Sequence, residues 1–311
     1  MKKPLFLTVS MNPTLQKTLV FSNIYTDTVN RTNEYRMDTA GKGLSVCRVL
    51  SQLGRNSCHL TQLGGSLRPL FLDLCKQDKI KVKWVKNTSD IRLCYTLINK
   101  CDNSVTELVE VPEKVDITTE GRLLDAFSSL VQKCTTLIIS GTKAPGFSDA
   151  LIPEMVRQGQ IAGCRTILDI HGKDLVNSLP FKPDIIKPNL FEFVSTFMPR
   201  LVLKNGLPDK SEIKEIVESV WVKLYDQFDC ALILTHGADS IWYSDEDKLF
   251  EFVIKPVEPI NTTGSGDAFT AGLASALEDG ASLVNAIEAG ARCGAINASL
   301  LRPGVTSIDE K

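Results

Sequence analysis

The sequence predicts an α/β protein: a mainly parallel sheet covered by helices on both faces, with a smaller accessory sheet beside it. Three observations predict this. Short apolar, β-branched runs recur along the 311 residues, helix-period segments separate them, and two stretches break that rhythm with strand-like alternation.

"LFLTV" (5–9), "TLIIS" (136–140), "TILDI" (166–170), "DIIKP" (184–188) and "ALILT" (231–235) have the length and composition of buried strands. Between them, "GLSVCRVLSQLG" (43–54) puts Val46, Val49, Leu50 and Leu53 on one helical face. "SEIKEIVESVWVKLY" (211–225) does the same with Ile213, Ile216, Val220 and Leu224. Alternation of this kind gives a parallel sheet, and ligands of such sheets bind beyond the carboxyl ends of the strands. Residues 14–38 and 82–111 instead favour alternating β-branched and aromatic residues. They are read as a small sheet assembled from separated segments; the alternative is two surface hairpins. With no proline- or glycine-rich linker and no internal repeat, the preferred organisation is one domain over 1–311 with these strands inserted.

Composition excludes several classes of function. Hydrophobic residues make up 43% and charged ones 23%, with a mean hydropathy of zero, as in ordinary globular proteins. The net charge of −2, without long runs of one sign, argues against a nucleic-acid or anionic-membrane surface. No segment approaches the roughly twenty apolar residues of a membrane span. The opening "MKKPLFLTVSMNP" has an apolar run too short for a signal-peptide core and is read as a first buried strand. The nine cysteines are scattered singly, without a CxxC pair, which reads as reduced thiols in a cytoplasmic protein. His59, His171 and His236 are isolated and read as structural, so zinc chemistry has no support. "GKGLSV" lacks P-loop spacing, the glycine pair at 264 and 266 lacks the third Rossmann glycine, and no GxSxG elbow occurs.

Chemistry concentrates in "TTGSGDAFTAGL" (262–273). Gly264, Ser265 and Gly266 precede a helix-forming run; glycines let the backbone approach a ligand, and free N–H groups at a helix start attract negative charge. Asp267 adds a carboxylate at that anion site, where it can take the proton of a hydroxyl attacking a phosphoryl group. On this segment alone, a glycine turn with an Asp cap is an equal reading.

Other segments widen the pattern. "NTTGSGDAF" (261–269) resembles the C-terminal signature of the PfkB/ribokinase-like sugar kinases, and "TAGKGLSVCRVLSQLG" (39–54) resembles their N-terminal glycine signature. "SGTKAPG" (140–146), "KPNLFE" (187–192) and "LTHG" (234–237) follow in the family's order, and "MNPTLQKT" (11–18) resembles the opening of its phosphosugar branch, the 1-phosphofructokinases and tagatose-6-phosphate kinases. The resemblance implies a three-layer α/β/α ribokinase-like fold with a β-sheet lid over the substrate, a lid often used for homodimer contacts. It implies ATP and Mg²⁺, with transfer of the γ-phosphoryl group to a hydroxyl of a sugar phosphate. It makes Asp267 the general base and Gly264, Ser265 and Gly266 the anion hole. Lys187, Asn189 and Glu192 would face the ATP phosphates, with Asn189 and Glu192 reaching Mg²⁺ through its water shell. Thr235 and Gly237 would lie along the nucleotide, and Asn297 near its adenine or ribose. On the acceptor side it assigns Gln16, Gly41, Lys42, Ser45, Arg92 and Thr142.

Several acceptor positions depart from that pattern. Gln16 stands where the branch usually has Asp, Ala40 where it has Gly, Ser45 where it has Asn, and Cys94 where an Asn is expected. Thr142 and Lys143-Ala144 replace the usual Ser and Leu-Pro. Gln16 can donate and accept hydrogen bonds but cannot hold two sugar hydroxyls as an ionised carboxylate does. Lys42 and Arg92 keep positive charge for an anionic acceptor, and Lys143 is read as a solvated loop lysine. The rival readings are a kinase of an unphosphorylated sugar or nucleoside, and an ATP-binding regulatory protein that has lost turnover.

Overall fold

The structure is a computed structural model that describes residues 5–202 and 209–306; the first four residues of the predicted opening strand lie outside the described residues. The chain opens with β1 (Phe6–Met11), β2 (Thr14–Phe21) and β3 (Glu34–Ala40), then α1 (Lys42–Gln52), β4 (Ser57–Leu63), α2 (Arg68–Gln77) and β5 (Val82–Lys86). Next come β6 (Arg92–Asn99), β7 (Ser104–Val109), α3 (Thr119–Val131), β8 (Thr136–Lys143), α4 (Leu151–Ile161) and β9 (Arg165–Asp169). They are followed by α5 (Gly172–Ser178), β10 (Ile185–Ile186), α6 (Leu190–Phe197), α7 (Pro199–Val202) and α8 (Lys210–Phe228). β11 (Ala231–Leu234), β12 (Ile241–Asp245), β13 (Lys248–Phe252), α9 (Ser265–Glu278) and α10 (Leu283–Ala298) complete it.

The main sheet runs in the order β13-β12-β11-β10-β9-β8-β1-β4-β5. From β11 to β5 every pair is parallel, and β12 and β13 close one edge as an antiparallel hairpin. Period-2 alternation sends side chains to two separate cores. Leu137 and Ile139 face α3, α4, α6 and α8, whereas Ile138 between them faces α1, α9 and α10. Those are the three layers that were expected. The order reverses between β1 and β8, so the switch point at which α/β sheets bind ligands lies there. No described helix is long and apolar enough to cross a membrane.

The second sheet has the order β3-β2-β6-β7 and is built from the two predicted off-rhythm regions. Their boundaries differ in one place: Val82–Lys86 pairs in parallel with β4 at the edge of the main sheet. "VKWVK" has the alternation of a half-exposed strand, which suits a sheet edge as well as a lid. In α8 the most buried line is Ile213, Val217 and Trp221, with Val220 and Leu224 flanking it, so the buried face is rotated from the predicted one.

A chain of charges ties the small sheet to the main body. Asp38 on β3 accepts from Arg36 (2.6 Å) and Arg302 (2.9 Å), and Arg302 continues to Asp78, which Arg48 of α1 also reaches (2.9 Å). Arg48 is 1% exposed and also donates to the Thr39 carbonyl at 2.6 Å. Charges buried this deeply persist because each has an opposite partner and a hydrogen bond. All nine cysteines are free thiols.

Candidate active site

Strand ends, two helix starts and the small sheet enclose a cavity of about 410 Å³ at the switch point. α1 and α9 both begin there without a side-chain cap, their N-caps being Gly41 and Gly264. Asp267 caps nothing, and the N–H groups of Gly266 and Asp267 have no intramolecular acceptor among the described residues. An uncapped helix start with open donors is an anion-binding arrangement. Gly264 has φ +80°, and a Cβ there would meet the Gly304 nitrogen at 2.8 Å, so the turn requires glycine. Gly266 has nothing within 4 Å of a Cβ position and leaves that space to a ligand.

Behind this turn, three carboxylates share two ammonium groups. Asp169 ends β9 and is 2% exposed; it lies 3.3 Å from Lys187 Nζ and 3.7 Å from Lys42 Nζ, and accepts from the Thr270 hydroxyl at 3.1 Å. Lys42 also contacts Glu192 at 3.0 Å. Asp169 and then Glu192 hold the Lys42 pKa above its usual value against the opposing effect of burial. Burial opposes ionisation of Asp169, yet Lys187 and Lys42 together keep its pKa low. Asp267 is the carboxylate least well served. Burial, followed by repulsion from Asp169, pushes its pKa up to about 7, while Lys42, Lys187 and a Ser45 hydrogen bond pull the other way. A carboxyl group poised near neutrality can both take and return a proton.

Gln16, Gly41, Lys42, Ser45 and Arg92 line the same cavity, as do Lys187, Asn189, Glu192 and Thr235. Asn189 and Glu192 form a capping box on α6: the Asn189 side chain accepts from the Glu192 N–H, and the Glu192 carboxylate accepts from the Asn189 N–H. The Asn189 side-chain oxygen is thereby engaged, and Glu192 is the member of the pair whose charge reaches the site. Gln16 donates to Thr96 at 2.6 Å. Arg92 Nε donates to the Thr14 hydroxyl at 2.8 Å, and among the described residues no carboxylate forms an ion pair with this guanidinium.

Other predicted residues stand elsewhere. Asn297 is fully buried; it donates to the Thr263 carbonyl (2.9 Å) and Ser265 Oγ (3.1 Å) and accepts from the N–H groups of Gly304 (2.6 Å) and Val305 (3.1 Å). It braces the glycine turn from behind and does not line the cavity. Ser265 points into that brace, Gly237 sits on the turn after β11 with φ +56°, and Thr142 accepts from Asn12 at 3.0 Å; none of the three lines the cavity. Lys143 is no solvated lysine: it turns away to Asp149 and Asp174. His59 is buried between the hydroxyls of Thr8 and Ser10, and burial lowers its pKa to about 3. Asp169 and Glu107 are the cavity carboxylates that sequence reading missed. The one signal for Asp169 was an acidic residue closing a parallel strand.

Among the described residues no group of three or more His, Cys, Asp or Glu side chains could cage a metal ion. Magnesium asks for less, since it keeps several waters and takes one or two carboxylates. Asp169 and Glu192, facing each other across Lys42, fit that donor set.

A helix start with open N–H donors, a buried carboxyl group near neutrality and two lysines beside it are the kinds of group that phosphoryl transfer uses. The family model for pfkB carbohydrate kinases matches residues 11–309, and the chain belongs to this family. It is therefore a phosphotransferase that acts on a sugar hydroxyl. A tagatose-6-phosphate kinase from Staphylococcus epidermidis is 26% identical over 275 residues, 88% of this chain and 85% of the relative. The structure of Escherichia coli phosphofructokinase-2 in complex with fructose-6-phosphate superposes with a TM-score of 0.79 at 19% identity, covering 96% of this chain and 94% of that one. Arabidopsis thaliana ribokinase with ribose and ATP superposes at 0.72 and 16% identity, covering 98% and 95%. The fold they share is a large, mostly parallel α/β sheet with a small second sheet beside it.

Proposed function

We propose that the protein transfers the γ-phosphoryl group of ATP to a hydroxyl of a sugar phosphate, with Asp267 as general base. The observation that carries the acceptor class is Arg92. Lys42 and Lys187 spend their charge on Asp169 and Glu192, whereas the Arg92 guanidinium faces the cavity without a carboxylate partner. A planar, permanently charged donor fork of this kind suits a phosphate group. The 26%-identical tagatose-6-phosphate kinase supports the same class.

The acceptor lies under the lid between Arg92 and Asp267, its phosphate on Arg92 and its reacting hydroxyl toward the carboxylate. The hydroxyl oxygen bonds to the γ-phosphorus as the bond from that phosphorus to the β,γ-bridging oxygen breaks. ADP leaves with the electron pair, and Asp267 takes the hydroxyl proton. The N–H groups of Gly266 and Asp267 receive charge that develops on the transferring group. Lys187 and Lys42 flank the phosphates. Asp169 and Glu192 would hold Mg²⁺ through its waters; when bound, the ion neutralises phosphate charge. Gln16, fixed by Thr96, contacts an acceptor hydroxyl through its remaining carbonyl oxygen. The lid is also the surface we assign to homodimer contacts, because Leu108 and Tyr35 on its outer side are 53% and 64% exposed.

The test is ADP formation with a panel of sugars and ketohexose monophosphates, for wild type and Arg92→Gln. Losing a charged hydrogen-bond donor costs about 1.5–3 kcal/mol. The KM for the phosphorylated acceptor should rise by about 10- to 150-fold, with the KM for ATP unchanged. Turnover on unphosphorylated sugars alone, or an acceptor KM indifferent to Arg92, would overturn the acceptor class.

A further inference from the structure

We propose that Glu107 of the lid and Thr263 of the catalytic turn form a latch that couples lid seating to phosphoryl transfer. The inference rests on the kinase reading above. β7 is the outermost strand of the lid and is exposed along its length. Its register with β6 sets Glu107 opposite Thr96 and Val109 opposite Cys94, on the face that lines the cavity. From that edge Glu107 Oε1 accepts a hydrogen bond from Thr263 Oγ1 at 3.0 Å, between residues 156 positions apart in the chain.

Thr263 is otherwise fully committed to the turn. Its N–H donates to Asn261 Oδ1 (3.0 Å), and its carbonyl accepts from Asn297 Nδ2 (2.9 Å). The hydroxyl is the group left to reach the lid. The next residues are Gly264 in its left-handed conformation, then the open N–H groups and Asp267. A pull on Thr263 therefore moves the anion hole and the base together. The lid also carries Gln16 and Arg92, so a closed latch sets both halves of the site at one spacing.

Glu107 is a positioning residue in this arrangement. It sits four residues along the β6 register from Arg92, about 13 Å at strand rise, and a carboxylate at the acceptor phosphate would repel it. An exposed hydrogen bond has a small net strength, which suits a contact that opens in every cycle.

ADP released and acceptor phosphorylated are measured in one assay, with tagatose 6-phosphate, fructose 6-phosphate and fructose 1-phosphate as probes. The proteins are wild type, Glu107→Gln, Glu107→Ala, Thr263→Val and the Glu107→Ala/Thr263→Val double variant. Each disruptive single variant should lower the ratio of transfer to ATP hydrolysis by about 2- to 10-fold and raise the acceptor KM. The double variant should be no worse than the poorer single one. Glu107→Gln keeps an accepting oxygen for Thr263 and should restore the ratio. Wild-type coupling in both single variants, or additive losses, overturns the latch. A Glu107→Gln protein as impaired as Glu107→Ala shows that the carboxylate contacts the acceptor instead. Amide exchange over 104–110 and 262–268 in the ligand-free proteins reads the latch without turnover. Faster exchange in both segments in either single variant is the expected result, and unchanged exchange overturns the proposal even if no probe is an acceptor.

Discussion

Replacing Asp267 with Asn is expected to lower kcat by about 10²- to 10⁴-fold, the usual contribution of a general base, while the KM for ATP changes little. In the wild type, kcat/KM should rise with pH and level off above about 7, because the base works only when deprotonated and its pKa in the free enzyme lies there. The residual rate of Asp267→Asn should lack that limb. Stability should move the opposite way. The folded pKa is raised from 3.8 to about 7, so between those values the folded state holds a proton that the unfolded state has lost. Wild-type stability therefore falls as pH rises through this window. Asp267→Asn should melt at a higher temperature than the wild type at pH 8, with the gap closing toward pH 4. An activity profile with no limb near 7, or an Asn variant with ordinary turnover, would remove Asp267 from the role of base.

Lys187→Met is expected to cost about 3–5 kcal/mol of stability at pH 7.5, because it strips Asp169 of the nearer of its two ammonium partners inside the protein. Methionine is unbranched and of similar length, so the loss reports charge more than volume, including the contact of the ammonium with the Phe269 ring, whose centre lies 5.7 Å away. Its pH dependence follows from Asp169. In the wild type that carboxyl has a lowered pKa, so its ion pairs stabilise the fold above the unfolded value and are lost only in strong acid. In the variant the carboxyl has to protonate to stay buried, and the deficit should shrink as pH falls toward 5. The Lys187→Met/Asp169→Asn double variant should recover most of the stability. Denaturant midpoints at pH 7.5 and 5 check both statements, and a Lys187→Met protein as stable as the wild type at pH 7.5 would contradict them.

What could be read from residues alone follows the range of the interactions. The turn before Asp267 stood out in the sequence because glycines precede a helix-forming run, and a helix start behind glycines has few roles; Lys42 came only with the family resemblance. The parallel strands were legible because burial on both faces leaves an unbroken apolar run. The bracing contacts of Asn297 were not legible for the converse reason: its four hydrogen bonds go to residues at 263, 265, 304 and 305, and nothing in "GAINAS" records them. Asp169 is a lone acidic residue at a strand end until Lys42 and Lys187 arrive from distant segments. The shift of the α8 face from Ile216 to Val217 and Trp221 shows the same limit, since Trp221 is placed by its indole hydrogen bond to the Glu246 carbonyl and by the core it fills.

The Asn297 brace and the Arg302 charge chain have a consequence for how the protein matures. Gly304 touches the Gly264 turn, and Arg302 holds Asp38 on β3 across a separation of 264 positions, so segments far apart in the chain meet at the site. The strands and helices named above all end by residue 298, whereas the backing of the Gly264 turn draws on Gly304 and Val305. A nascent chain can lay down its sheet before residues 302–305 have left the ribosome, but the turn at Gly264 gains its backing only once they emerge.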